Sequence, residues 1–213
     1  MNRLGFLLLI LCLPSLSLVA QTKKKAPAKK VAAPKKETPI KVESQAEAEI
    51  HWLKIDELQT KMAANPKKVF IDVYTDWCGW CKRMEATTFK NPILIKYMNN
   101  NFYCLRLDAE RKDEFMFNGK SYHFEPQYRA NTFAVELMGG KMSYPTTVLM
   151  LENFQNPQPI PGYHGVSEME MFLTYFGDNI YKHKSWDEFS KTYTPTWEKL
   201  SPPVSNTPPP VGH

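Results

Sequence analysis

Trp77-Cys78-Gly79-Trp80-Cys81-Lys82 places two thiols at positions i and i+3. The stretch follows an apolar, largely β-branched and aromatic run, Val69-Phe70-Ile71-Asp72-Val73-Tyr74, and opens what reads as a helix. Two cysteines at that spacing on a helix start close a disulfide with little backbone movement. The partial positive charge of the helix N-terminus favours a thiolate on the first of them. The chemistry indicated is dithiol–disulfide exchange rather than a structural bridge. Two other uses of a cysteine pair are weaker. Zinc needs a second pair of ligands, and Cys104 is alone while His51, His123, His164 and His183 are scattered. Haem attachment needs a histidine directly after the second cysteine, where this chain has Lys82.

The elements around the pair follow from pattern. A first helix is expected over residues 47–64, with Ile50, Leu53, Leu58 and Met62 on its apolar side, stopped by Asn65-Pro66. Residues 69–74 form a short central strand. The Cys78 helix runs to about Thr87, and Asn91-Pro92 opens another helical piece over 93–98. A strand follows at 102–107. Residues 113–126 read as a β-hairpin turning at Asn118-Gly119, since Asn-Gly supplies the two left-handed residues of a tight turn. A helix at 128–138 ends at Gly139-Gly140, and strands follow at 146–151 and 160–163. Ser167-x-x-Glu170 reads as a capping box opening a long last helix, with Met169, Phe172, Phe176 and Ile180 on one face. The alternation of strands and helices predicts an α/β fold, a central mixed sheet flanked by helices, with the hairpin as an insertion.

The chain of 213 residues suits one domain with tails. Residues 1–20 read as a secretory signal peptide: Arg3, an apolar run over 4–13 too short to span a bilayer, then Leu18-Val19-Ala20. Cys12 follows Leu11 rather than a small residue, so it is expected to leave with the signal instead of carrying lipid. Residues 21–46 form a Lys/Ala/Pro-rich linker, read as a tether; 47–193 form the domain; 194–213 form a Pro-rich tail. The overall charge of +5 is unevenly placed: residues 21–44 carry eight Lys against two Glu, while 18 Lys and Arg face 20 Asp and Glu from residue 45 onward. The domain is therefore near neutral, which argues against nucleic-acid binding. The expected location is periplasmic or secreted, without stable membrane insertion, where the oxidising surroundings suit disulfide chemistry.

With these motifs in place the chain resembles the thioredoxin superfamily, and among its members exported bacterial disulfide-interchange proteins. The resemblance rests on the run from Asp72 to Lys82, on Tyr144-Pro145-Thr146-Thr147, and on the order of helices and strands over residues 47–183. It implies a thioredoxin fold and a residue-by-residue reading. Cys78 is the exposed nucleophile and Cys81 the buried resolving thiol. Asp72 is the buried acid that moves the Cys81 proton. Pro145 is a cis-proline facing the pair, and Trp77, Trp80 and Tyr144 offer the substrate surface. The implied activity is thiol–disulfide exchange with exported proteins, with no cofactor beyond the Cys78–Cys81 disulfide and with a separate redox partner, such as a membrane electron donor. Reduction or isomerisation is favoured by the Trp-Cys-Gly start and by the lack of a histidine between the cysteines. Gly79-Trp80 replaces the Gly-Pro of the familiar motif, the 113–126 hairpin is extra, and Cys104 lies near where relatives place a lysine beside the buried acid. Cys104 is read as an inert core thiol. The alternative from another class is a redox-inactive binding or chaperone module on the same fold, and after it the zinc module.

Overall fold

The computed structural model describes residues 49–200. The expected signal peptide, the linker and residues 201–213 of the tail lie outside the described residues. The central sheet has the order β1-β3-β2-β8-β9. Its strands are β1 (Trp52–Leu53), β2 (Lys68–Tyr74), β3 (Phe102–Asp108), β8 (Thr146–Leu151) and β9 (Gln155–Pro161). The pairs β1·β3 and β2·β3 are parallel, whereas β8 is antiparallel to both β2 and β9. This is the mixed sheet of the thioredoxin fold, and β2, which leads to the cysteines, is its buried centre.

Side-chain alternation along β2 sends successive residues to opposite faces. Val69, Ile71 and Val73 pack with Ile55, Leu58 and Met62 of α1 (Ile55–Ala64) and with Phe133, Ala134 and Leu137 of α4 (Thr132–Leu137). Phe70 packs on the other face with Met84 of α2 (Gly79–Ala86), with Leu94, Ile95 and Met98 of α3 (Pro92–Asn101), and with Met169 and Leu173 of α5 (Val166–Gly177). Asp72 shares the face of Phe70, and so looks toward α2. α3 begins where Asn91 accepts hydrogen bonds from the Ile93 and Leu94 N–H groups, with Pro92 in the first turn.

The first helix starts later than the pattern suggests. Trp52 and Leu53 pair with Cys104 and Leu105 as an edge strand, and helix begins only at Ile55, where the Lys54 N–H donates to Glu57. The hairpin is present as β4 (Phe115–Phe117) and β5 (Lys120–Tyr122), with Asn118 and Gly119 both at positive φ, 48° and 78°. A second ribbon, β6 (Phe124–Glu125) with β7 (Ala130–Asn131), was not expected. It takes the start of the helix predicted over 128–138: Arg129 turns at positive φ, and α4 begins only after Asn131, whose side chain accepts from the Phe133 N–H.

The C-terminal region departs most from expectation. α5 is capped by Gly165, not by a Ser167–Glu170 box. Ser167 donates outward to Glu198, and Glu170 is fully buried. The Glu170 carboxylate accepts from the N–H groups of Thr196 (2.9 Å) and Trp197 (2.7 Å) and from the Tyr193 hydroxyl (2.8 Å). Two further helices follow α5: α6 (Trp186–Thr192), with a Ser185–Glu188 capping box, and α7 (Trp197–Leu200). The packed domain therefore runs past 193. α5 itself stops at Gly177, where a Cβ would lie 2.3 Å from the Tyr97 hydroxyl. The buried Lys68 ammonium meets the Gly177 carbonyl at 3.0 Å, a cation at a helix C-terminus.

Candidate active site

Cys78 is the N-cap of α2 and Cys81 lies in its first turn; the two are joined, with an S–S distance of 2.09 Å. The Cys78 N–H donates to Thr75 O (3.1 Å), which turns the chain between β2 and the helix. The Cys81 N–H donates to Cys78 Sγ (3.1 Å). A helix N-terminus thus points one of its unpaired backbone donors at the first sulfur, where it stabilises negative charge. Both cysteines are covered, 4% and 3% exposed, so the expectation of an exposed Cys78 is corrected. Its sulfur turns into the start of the helix to receive the Cys81 N–H, while the neighbouring indoles of Trp77 and Trp80 are 65% and 59% exposed.

Asp72 lies fully buried on β2 opposite Arg106 of β3 in the parallel register. Arg106 Nε donates to Asp72 Oδ2 (3.3 Å), and its two terminal nitrogens reach Glu85 of α2 at 2.8 and 3.2 Å. Asp72 Oδ1 has no hydrogen-bond partner among the described residues. Burial raises the Asp72 carboxyl to about 6 and outweighs the Arg106 charge that favours ionisation; Glu85 pushes the same way as burial. A recess of about 190 Å³ lies beside Arg106 and Glu85, the residues that flank Asp72, and is lined further by Tyr74, Thr75, Asp76, Cys81 and Lys82. The cation beside the acid is thus Arg106, and Cys104 is not in this position. Cys104 pairs with Phe70 and Trp52 deeper in the sheet, and burial pushes its thiol up to about 12. Arg106 was missed by motif reading, although it is the one charge inside Phe102-Tyr-Cys-Leu-Arg-Leu107. Glu85, one helical turn beyond Cys81, was missed as well.

The Tyr144–Pro145 bond is cis. The Gly162 N–H donates to Pro145 O (2.8 Å), so Tyr144-Pro145 and Gly162-Tyr163 lie side by side at one end of the β8–β9 pair. The cysteine segment straddles that end through two aromatic contacts. Trp77 meets Tyr144 edge-on at 5.8 Å, and Trp80 meets Tyr163 at 5.4 Å. Trp77, Trp80 and Tyr144 are therefore gathered beside the cysteine segment, with Pro145 next to Tyr144 in the chain, and are joined by Tyr163, which the sequence reading passed over. Among the described residues no three His, Cys, Asp or Glu side chains converge on a metal-sized space.

A β-strand leading to a Cys-x-x-Cys at a helix start, a buried acid behind it and a cis-proline directly before the antiparallel strand together define a member of the thioredoxin superfamily. The chain belongs to the family Thioredox_DsbH, described as "Protein of unknown function, DUF255", which matches residues 35–163. It is 33% identical over 54 residues to the uncharacterised protein B0495.5 of Caenorhabditis elegans, a match covering 25% of this chain and 7% of that one. It is 36% identical over 45 residues to the thiol:disulfide interchange protein DsbD of Pectobacterium atrosepticum, covering 21% and 8% respectively. These matches therefore span less than a tenth of the relatives' lengths. A thioredoxin-fold protein from Helicobacter pylori superposes with a TM-score of 0.47 at 19% identity, over 60% of this chain and 80% of its own. That likeness adds nothing to the topology already described.

Proposed function

We propose that this protein is an exported thiol–disulfide oxidoreductase that exchanges the Cys78–Cys81 dithiol/disulfide with substrate proteins, as a reductase or isomerase. The observation that carries the reading is the Cys81 N–H directed at Cys78 Sγ from the first turn of α2. In the reducing direction the Cys78 thiolate attacks a substrate disulfide. One substrate sulfur joins Cys78 and the other leaves as a thiolate that takes a proton. Cys81 gives its proton to the Asp72 side and attacks Cys78, which re-forms the Cys78–Cys81 disulfide and releases the second substrate sulfur. Two electrons pass from the protein dithiol to the substrate. In isomerisation a substrate thiol, rather than Cys81, resolves the mixed disulfide.

Asp72 suits the proton step because a carboxyl near 6 both takes and returns a proton close to neutral pH. Trp77, Trp80, Tyr144 and Pro145 supply the rim against which an extended substrate lies. No cofactor beyond the disulfide is needed, and a separate dithiol donor, such as a membrane electron carrier, recharges it. Removal of residues 1–20 in the periplasm or on secretion completes the reading, and among the described residues no helix is long and apolar enough to cross a membrane.

The slight exposure of Cys78 is the observation that favours the second reading, a binding module that uses the aromatic rim without turnover. Reaction of the reduced protein with a disulfide-containing protein substrate separates the two. Exchange is expected in the wild type, is lost in Cys78→Ser, and stops at mixed disulfides in Cys81→Ser. Absence of exchange in the wild type selects the binding module; capture by Cys78→Ser but not by Cys81→Ser reverses the two roles.

A further inference from the structure

The aromatic rim is not symmetrical in charge. On α2, Arg83 follows Trp80 by three residues and shares its side of the helix. Its guanidinium lies 6.0 Å from the Trp80 ring and 5.9 Å from the Tyr163 ring. Tyr163 is held in place by a 3.2 Å hydroxyl contact with Thr87, the C-cap of α2, whose own hydroxyl also donates to the Arg83 carbonyl. No carboxylate of the described residues pairs with Arg83, whereas the other arginine near the cysteines, Arg106, is taken up by Asp72 and Glu85. A guanidinium within cation–π range of two rings and with no carboxylate partner still has N–H donors to offer, and their fork fits a carboxylate.

The opposite end of the rim has the other sign. Burial raises the Tyr144 hydroxyl to about 12, and the nearby Glu110 and Asp108 carboxylates push it the same way. Asp76 directly precedes Trp77, and Arg111 on that side is engaged by Asp113. The rim thus has carboxylates near its Tyr144 end and an unpaired guanidinium at its Trp80–Tyr163 end.

We propose that Arg83 selects disulfide substrates carrying an acidic side chain beside the reacting cysteine, on the side that lies over Trp80 and Tyr163. This rests on the exchange function proposed above and names the substrate class of that site. Arg83 binds substrate and takes no part in bond making. The electrons come from the Cys78–Cys81 dithiol, which is oxidised as the peptide disulfide is reduced to two thiols.

The test is single-turnover reduction, by the pre-reduced full-length protein, of synthetic peptide disulfides identical except for Asp, Asn or Lys two positions before or after the cysteine. Each rate is divided by that of the same peptide with dithiothreitol, which removes the intrinsic reactivity of the peptide. The Asp peptide is expected to react about fivefold faster than the Lys peptide, with the residue on one side of the cysteine only. The preference shrinks at about 0.5 M salt. Arg83→Gln levels it and Arg83→Glu inverts it. Equal wild-type rates for the three peptides, or a preference that survives in Arg83→Gln, overturns the assignment while leaving the exchange function standing. No reaction with any peptide, Asn included, removes the exchange function and this inference with it.

Discussion

Asp72 is a carboxylate whose ionisation is decided by where β2 runs. Centred in the sheet and shared with only one nitrogen of Arg106, it holds its proton up to about pH 6. An unfolded aspartate ionises near 4. Below about pH 4 both states are protonated. Between about 4 and 6 the unfolded chain ionises while the fold keeps its proton, so stability falls as pH rises and levels off above 6. The span of about two units caps the loss at about 3 kcal/mol. Asp72→Asn lacks this dependence, so denaturant titrations should show its stability gaining on the wild type between pH 4 and 7 by up to that amount. A difference that stays flat with pH shows that Asp72 is not the titrating group. The same variant should lose any inflection near pH 6 in the exchange rate. Cys104 makes a contrasting case. It is buried beside Phe70, away from the Asp72–Arg106 pair, so Cys104→Ala should cost about 1 kcal/mol of stability and leave exchange unchanged. A large fall in exchange with the fold intact contradicts the inert-core assignment.

At the level of elements, one buried side chain ties the start of α7 to α5. Glu170 on α5 caps the first N–H groups of α7, and Trp197 adds a ring contact to Tyr97 of α3 at 4.9 Å. Glu170→Ala leaves the Thr196 and Trp197 N–H groups without that acceptor. A destabilisation of about 2–3 kcal/mol is expected. Hydrogen exchange should speed up over residues 193–200 while the amides of β2 and β3 keep their protection. Glu170→Gln, which keeps one acceptor oxygen, should fall between. Uniform loss of protection across the sheet instead makes Glu170 part of the global core rather than a latch for the C-terminal helix.

At the scale of the whole molecule, charge separates the chain into a basic stretch over residues 21–44 and a near-neutral domain. That division bears on the proposal that the protein is exported. Exported material is expected to begin near Gln21, read directly by N-terminal sequencing. Retention of residues 1–20, or lipid on Cys12, places the protein on a membrane surface with the linker as its stalk.

Local chemistry made much of the molecule legible in its sequence. The i, i+3 cysteines after an apolar strand, the Asn118-Gly119 turn, the Asn91-Pro92 helix start and the strand at 146–151 each depend on residues adjacent in the chain, and each is found. Two of the readings that failed depend on residues far apart in the chain, and the third on a short ribbon. Trp52-Leu53 is a strand because β3 offers it an edge; Glu170 leaves its own helix end for Thr196 and Trp197; Ala130-Asn131 pairs with Phe124-Glu125 before α4 can begin. The site divides in the same way. The sequence determined which sulfurs pair and which acid lies buried on the strand before them. The register of β2 on β3 brought Arg106 to Asp72, and the β8–β9 pairing set Tyr163 beside the cysteine helix. Only tertiary structure could decide those neighbours, because hydrogen bonding across a sheet fixes them and the spacing of residues along the chain does not.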